Sequence, residues 1–224
     1  MTDSELSDWR QMFEIEENRH FEPRVRVRSR VGPVSLQAKG SRKQKYMNAL
    51  RAAIAASTEM LFVGDVKVEI TWTVEEDARY RTHFIADIDN IVKPLLDGIT
   101  GPGCVLIDDN QVQALCVSWL APSFPGFHFE MEVRSLMVDD HVTRKNVTFV
   151  EFDDGLCYPI ATKDPERLRK IVTRMRQMMD TEKEMILEGF PPSQANGVRS
   201  VQRPFPRARL SGYELVPAGH FLGD

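Results

Sequence analysis

The sequence predicts an α+β fold: a mixed β-sheet packed by two helices over about residues 24–137, followed by a small ββα appendage. Three observations carry this. RVRVRSRV (24–31) and DVKVEITWTV (65–74) alternate with period two, as half-buried strands do. Tyr46, Leu50, Ala53 and Ile54, and then Ile88, Ile91, Leu95 and Ile99, recur at helical spacing. After the second helix the texture returns to short strands, which is the order of an α+β domain rather than of a repeating βα unit.

Taken in order, residues 1–22 are acidic and read as a helical or flexible extension. Strand 24–31 leads through the turn-rich GPVSLQAKGS into a helix over about 42–58, with Ser41 as its N-cap. Strand 65–74 is followed by a polar loop, EEDARYRTHF, and by a helix over 87–100. Pro94 is expected in the first turns of that helix, where its missing N–H costs least. Strands are predicted at 104–107, 111–119 and 127–135, the last two joined through APSFPG. NVTFVEF and LCYPIA flank an Asp153-Asp154-Gly155 turn and read as a hairpin. A helix over about 164–187 carries Leu168, Ile171, Val172, Met175, Met178, Met179 and Ile186 at helical spacing, where the methionines read as gap-filling core or a partner face. Residues 189–224 hold five prolines and read as an extended tail. The expected domains are therefore 1–22, 23–138, 139–188 and 189–224.

No apolar run is long enough to span a membrane. The acidic start offers no basic and apolar leader pattern, so no secretory signal is expected. Three widely spaced cysteines suggest neither a disulfide framework nor a metal knuckle, and point to a reducing, cytoplasmic compartment. The five histidines are scattered without ligand spacing, and the three tryptophans read as packing residues.

Charge is arranged in blocks. The net charge is −4, but residues 1–22 carry −5, residues 23–58 carry +9 without a single acid, residues 59–138 carry −8 and the remainder is neutral. The basic block fits a polyphosphate footprint, with Arg24, Arg26, Arg28, Lys39, Arg42, Lys43 and Lys45 as candidates for positioning a nucleic-acid backbone. A solvated strand and helix face accounts for the same residues.

The chemically loaded segment is DIDNIVKPLLDGITGPGCVLIDDNQV. It places Asp87, Asp89, Asp97, Asp108 and Asp109 within 23 residues. Crowded carboxylates raise one another's pKa, and a hard divalent cation removes that penalty. Such a cation activates water and stabilises charge on a phosphoryl oxygen, and Lys93 stands one helical turn after Asp89 to meet a phosphate. A plain helix N-cap at Asp87 or Asp89, and a plain turn at Asp108-Asp109-Asn110, account for the same acids separately.

The combination Asp87-x-Asp89-Asn90, Lys93, Asp97 and Asp108-Asp109-x-Gln111 resembles the signature of the RusA-type Holliday-junction resolvases. GPVSLQAKGSRKQKY is similar to the basic loop and helix near the start of many members. The resemblance implies an Mg²⁺-dependent endonuclease, with Mn²⁺ as a possible substitute, that cuts four-way DNA junctions as a homodimer. By position it implies that Asp87, Asp89 and Asp109 are the catalytic and metal-holding acids, that Asp108 is an adjacent metal candidate and that Lys93 is the essential lysine. Typical members lack the acidic front and the roughly 87 residues behind the domain; the latter are a candidate attachment for a protein partner. Two other readings stand beside this one. The first is a RusA-like module that binds branched DNA or a protein without cutting. The second is a hydrolase of small phosphate esters, against which the basic block weighs.

Overall fold

The computed structural model describes residues 12–83, 85–122, 126–198 and 202–223. The chain divides into two compact units, 1–144 and 145–224. The first eleven residues of the acidic front and part of the APSFPG connection lie outside the described residues.

In the first unit a five-stranded sheet runs in the order β1-β2-β6-β4-β5. Its strands are β1 (Phe13–Asn18), β2 (Arg24–Ser29), β4 (Val66–Thr73), β5 (Val112–Leu120) and β6 (Phe129–Ser135). All pairings are antiparallel except β4 with β5, so the sheet is mixed as predicted. A separate pair joins β3 (Met60–Phe62) to β7 (His141–Thr143). One face of the sheet is apolar: Val25, Val27, Val68, Ile70, Met131 and Val133 are buried and pack with α1 (Gly40–Ser57) and α3 (Ile88–Ile99). Leu50 of α1 lies so close to Gly98 of α3 that a Cβ there would meet Leu50 Cδ2 at 2.7 Å. The two helices thus cross at a glycine contact.

Several details differ from the expectations. Residues 13–18 are not a loose extension but the edge strand β1; Phe13 is buried and Ile15 packs against the core, while Glu14 and Glu16 alternate outward. The acids had masked the period-two pattern. The predicted loop after β4 holds a short helix α2 (Glu76–Arg81). Segment 104–107 is no strand; Leu106 makes only isolated bridges to Phe62 and Thr100. α1 begins after Lys39, without a side-chain cap from Ser41.

The second unit is larger than a ββα motif. β8 (Thr148–Glu151) and β9 (Leu156–Ile160) form the expected hairpin. They are flanked by β10 (Phe205–Pro206) and β11 (Leu215–Pro217), both drawn from the predicted tail, in the order β10-β9-β8-β11. Phe205, Leu210 and Ala218 are buried, which ties the tail down despite its prolines. Helix α4 (Pro165–Leu187) starts as the sequence indicates, with the Asp164 side chain accepting from the Arg167 N–H and Pro165 at the first helical position. Leu168, Val172 and Met175 bury its apolar stripe against Val150, Tyr158 and Ile160.

Candidate functional site

Helix α3 carries the first half of the motif. Ile91, Leu95 and Ile99 are fully buried and fix its rotation. Asp87, at the N-cap position, and Asp89, in the first turn, therefore face solvent. A helix N-terminus favours negative charge. Asp87 makes no capping bond, and neither acid has an ion pair or side-chain hydrogen bond with another described residue.

Pro94 does not sit in the first turn. It is buried inside the helix, where it cannot donate to the Asn90 carbonyl. That carbonyl accepts instead from the Leu36 N–H at 2.7 Å. The proline thus frees an acceptor that ties the loop before α1 to the motif helix. At the other end of α3, Arg51 of α1 donates through Nη2 to the Asp97 carbonyl at 2.7 Å.

The second half of the motif is a single 3₁₀ turn, Asp109–Gln111, leading into β5. Asp108 is buried and accepts from the Asn110 N–H at 3.0 Å. Gln111 is buried too and holds four backbone groups. Its Oε1 accepts from the N–H groups of Ile107 (2.7 Å) and Asp108 (3.1 Å), and its Nε2 donates to the carbonyls of Phe62 and Gly64, both at 2.9 Å. The turn is fastened to β3 and to the residues just after it, and Asp109 projects from it.

The two halves meet at Lys93. Its Nζ lies 2.7 Å from Asp109 Oδ2 and 2.7 Å from Asp97 Oδ1. Hydrogen bonds to Asp109 and then to Asp97 raise the Lys93 pKa above its ordinary value, so it stays charged throughout the neutral range. The Lys93–Asp97 pair runs against the helix dipole, since an acid N-terminal to a lysine is the stabilising order.

The basic candidates separate into two groups. Arg26 and Arg28 project from β2 into carboxylates on both neighbouring strands, and Arg24 meets Glu132 on β6 and Glu22 in the preceding turn. Arg28 lies 2.7 Å from Glu130 and 3.0 Å from Glu16, Arg26 lies 2.8 Å from Glu132, and Arg24 lies 3.8 Å from Glu132. Their charge is matched inside the sheet. Lys39, Arg42 and Lys45 are exposed on the loop and first turns of α1, with no ion pair among the described residues, and Lys43 donates to the Leu36 carbonyl. Arg42 also lines a cleft of about 850 Å³ whose wall includes Ile85 and Ala86, the residues just before Asp87.

The donor set suits a hard cation: it offers carboxylate oxygens, and Asp87 and Asp89 are uncommitted. Among the described residues, however, no three acidic, histidine or cysteine side chains converge on one point. Asp97 and Asp109 are brought together on Lys93. Asp108 is turned into its own loop. Sequence reasoning placed Gln111 in the motif without a role; its signal was a glutamine three residues after an N-cap aspartate. Replacing Gln111 with Ala strands four backbone groups, and buried polar groups left unpaired cost 1–3 kcal/mol each. Gln111→Ala is expected to lower unfolding free energy by about 3 kcal/mol in denaturant titration. The exposed neighbour Gln113→Ala should stay within about 0.5 kcal/mol.

A family model described as Endodeoxyribonuclease RusA matches residues 20–132, half of the chain, from the turn before β2 into β6. No curated protein and no solved structure matches the chain. The matched segment contains α3, Lys93 and the Asp109 turn, and leaves out β1 and the second unit. Nucleases of this family act on Holliday junctions, work as dimers and depend on a divalent metal. With that match spanning the whole motif, the chain belongs to the RusA endodeoxyribonuclease family.

Proposed function

We propose that this chain is an Mg²⁺-dependent, structure-selective endonuclease that cuts Holliday junctions and related branched DNA in recombination and repair, as a cytoplasmic homodimer. The observation that carries the reading is Lys93 Nζ at 2.7 Å from carboxylates of both motif halves. That contact ties the helix that bears Asp87 and Asp89, at its Lys93, to Asp109 on a fastened turn.

In this reading Asp87, Asp89 and Asp109 hold the cation, and Mn²⁺ can replace Mg²⁺. Bound there, the ion supplies Lewis-acid stabilisation of the phosphoryl oxygens and lowers the pKa of water. Lys93 has two roles. It orients Asp109 before DNA arrives, and its half-exposed ammonium meets the charge that develops on the scissile phosphate. Asp108 is a positioning residue, because its carboxylate caps the turn that presents Asp109. Lys39, Arg42 and Lys45 bind backbone phosphates beside the cleft, with Lys43 at their edge. Arg24, Arg26 and Arg28 take part less, since their carboxylate partners lie on the adjacent strands.

A second reading, junction binding without cleavage, is favoured by one observation: the described acids do not converge, and Lys93 occupies Asp109. A labelled four-way junction and a matched duplex separate the two. Wild type with Mg²⁺ is expected to give paired nicks on the junction, with Asp89→Asn or chelator slowing the reaction at least about 100-fold. Tight junction binding with no nick in Mg²⁺ or Mn²⁺ would favour the binding module. Salt titration tests the basic groups. Arg42→Ala or Lys45→Ala should each flatten the slope of log affinity against log salt by about 0.9, and Arg26→Ala should leave it unchanged.

A further inference from the structure

The second unit lies outside the matched family segment, and its long helix α4 carries a cationic face. Leu168, Val172 and Met175 bury one stripe of α4 against the hairpin and fix its rotation. Arg167, Lys170 and Arg174, spaced i, i+3 and i+7, share another stripe that is turned to solvent. Lys163, just before the helix, and Arg169, on its flank, are exposed as well. None of these five has an ion pair among the described residues. Nearby charges are committed: Arg176 pairs with Asp153, and Arg207 with Glu151. The Asp164 side chain caps the helix, so the face is offered by side chains and not by the helix terminus. Charge along the helix is segregated. Residues 163–176 hold six cations and two acids, and residues 177–188 hold one cation and four acids. The helix macrodipole favours the opposite order.

We propose that this face of α4 is a second binding surface for the phosphate backbone of DNA. The proposal rests on the DNA-nuclease reading for the choice of polymer, and adds to it a surface outside the domain that carries the motif. Spacing and charge select the partner. At 1.5 Å per residue Arg167 and Arg174 are about 10 Å apart along the axis, while one DNA strand presents a charge every ~3.4 Å. Three long cationic side chains over that length match successive phosphates of one strand. They fix position without reading bases. An anionic membrane suits the face less well. A helix lying on lipid inserts an apolar stripe, and the apolar stripe of α4 is already buried in its own unit. Carried by the same chain as Lys39, Arg42 and Lys45, even a weak second contact adds to overall affinity, because it forms intramolecularly.

The test is binding of the full-length chain to a fluorescent four-way junction and to a linear duplex, in chelator, by anisotropy across a salt series. Arg167→Ala, Lys170→Ala and Arg174→Ala are combined in one variant. All three side chains are exposed, and alanine favours helix, so the fold is expected to be kept. The expected result is affinity at least about 10-fold weaker on both DNAs, with the slope of log affinity against log salt flatter by about 2–3. Lys183→Ala, among the acids of the same helix, should bind as wild type. Should the triple variant lose its circular dichroism, Lys170→Gln with Arg174→Gln replaces it, with an expected slope change of about 2. Wild-type affinity and slope in a folded variant would overturn the proposal and leave the nuclease reading standing. Unchanged DNA binding with lost binding to phosphatidylserine vesicles would also overturn it, and would assign the face to a membrane. Weakened binding as expected, in a chain whose wild type nicks no junction in Mg²⁺ or Mn²⁺, would uphold the proposal and sink the nuclease reading alone.

Discussion

Carboxylates cannot be gathered on one surface without a cation among them, and here the first such cation is Lys93. Its ammonium joins Asp97 and Asp109, groups that belong to a helix and to a turn separated by a glycine-rich connection. That single contact sets the requirement on the surrounding structure. α3 must be held in rotation, which its buried isoleucines and Leu95 do. It must also be held in place along its length. The Asn90 carbonyl, freed by Pro94, is bonded to Leu36 near one end, and the Asp97 carbonyl is bonded to Arg51 near the other. The turn must not drift, and Gln111 fastens it through four backbone hydrogen bonds.

The same rule of local charge matching governs the sheet. β2 supplies arginines on its outward face, and β1 and β6 supply glutamates at the directly opposed positions: Arg28 with Glu14 and Glu130, Arg26 with Glu16 and Glu132. Exposed pairs of this kind contribute only about 0.2–1 kcal/mol each, yet they specify register, because a one-residue slip would turn every charge toward the apolar core. Their functional consequence is larger. The +9 block seen along the sequence divides into a strand whose charge is matched internally and a loop-and-helix segment whose charge remains available. Of the available part, Arg42 lines the cleft whose wall includes Ile85 and Ala86, just before Asp87.

Much of this was legible beforehand. α3 and β4 follow from periodicity alone, and the acids with Lys93 stand out as a spaced motif. What stayed hidden depended on partners distant in sequence. β1 reads as an acidic extension because Glu14, Glu16 and Glu17 dominate its composition; only the arginines of β2 explain them. The tail reads as extended because prolines and arginines dominate it, while the burial of Phe205, Leu210 and Ala218 becomes visible only against β8 and β9. Pro94 was misplaced although the helix start was legible: counted from Asp87 it already lies at the end of the second turn, inside α3. Gln111 looked like a motif letter because its four partners include Phe62 and Gly64, far upstream.

We propose that the Asp87, Asp89 and Asp109 carboxylates hold one hard cation, with Lys93, 2.7 Å from Asp109, as the counter-ion at rest. Manganese binding followed by electron spin resonance on the intact chain tests this most directly. The expected result is one saturable Mn²⁺ per chain, displaced by excess Mg²⁺ and lost in both Asp87→Asn and Asp109→Asn. Manganese binding of equal strength in wild type and both variants would contradict it, as would a wild-type chain that takes up no ion at all.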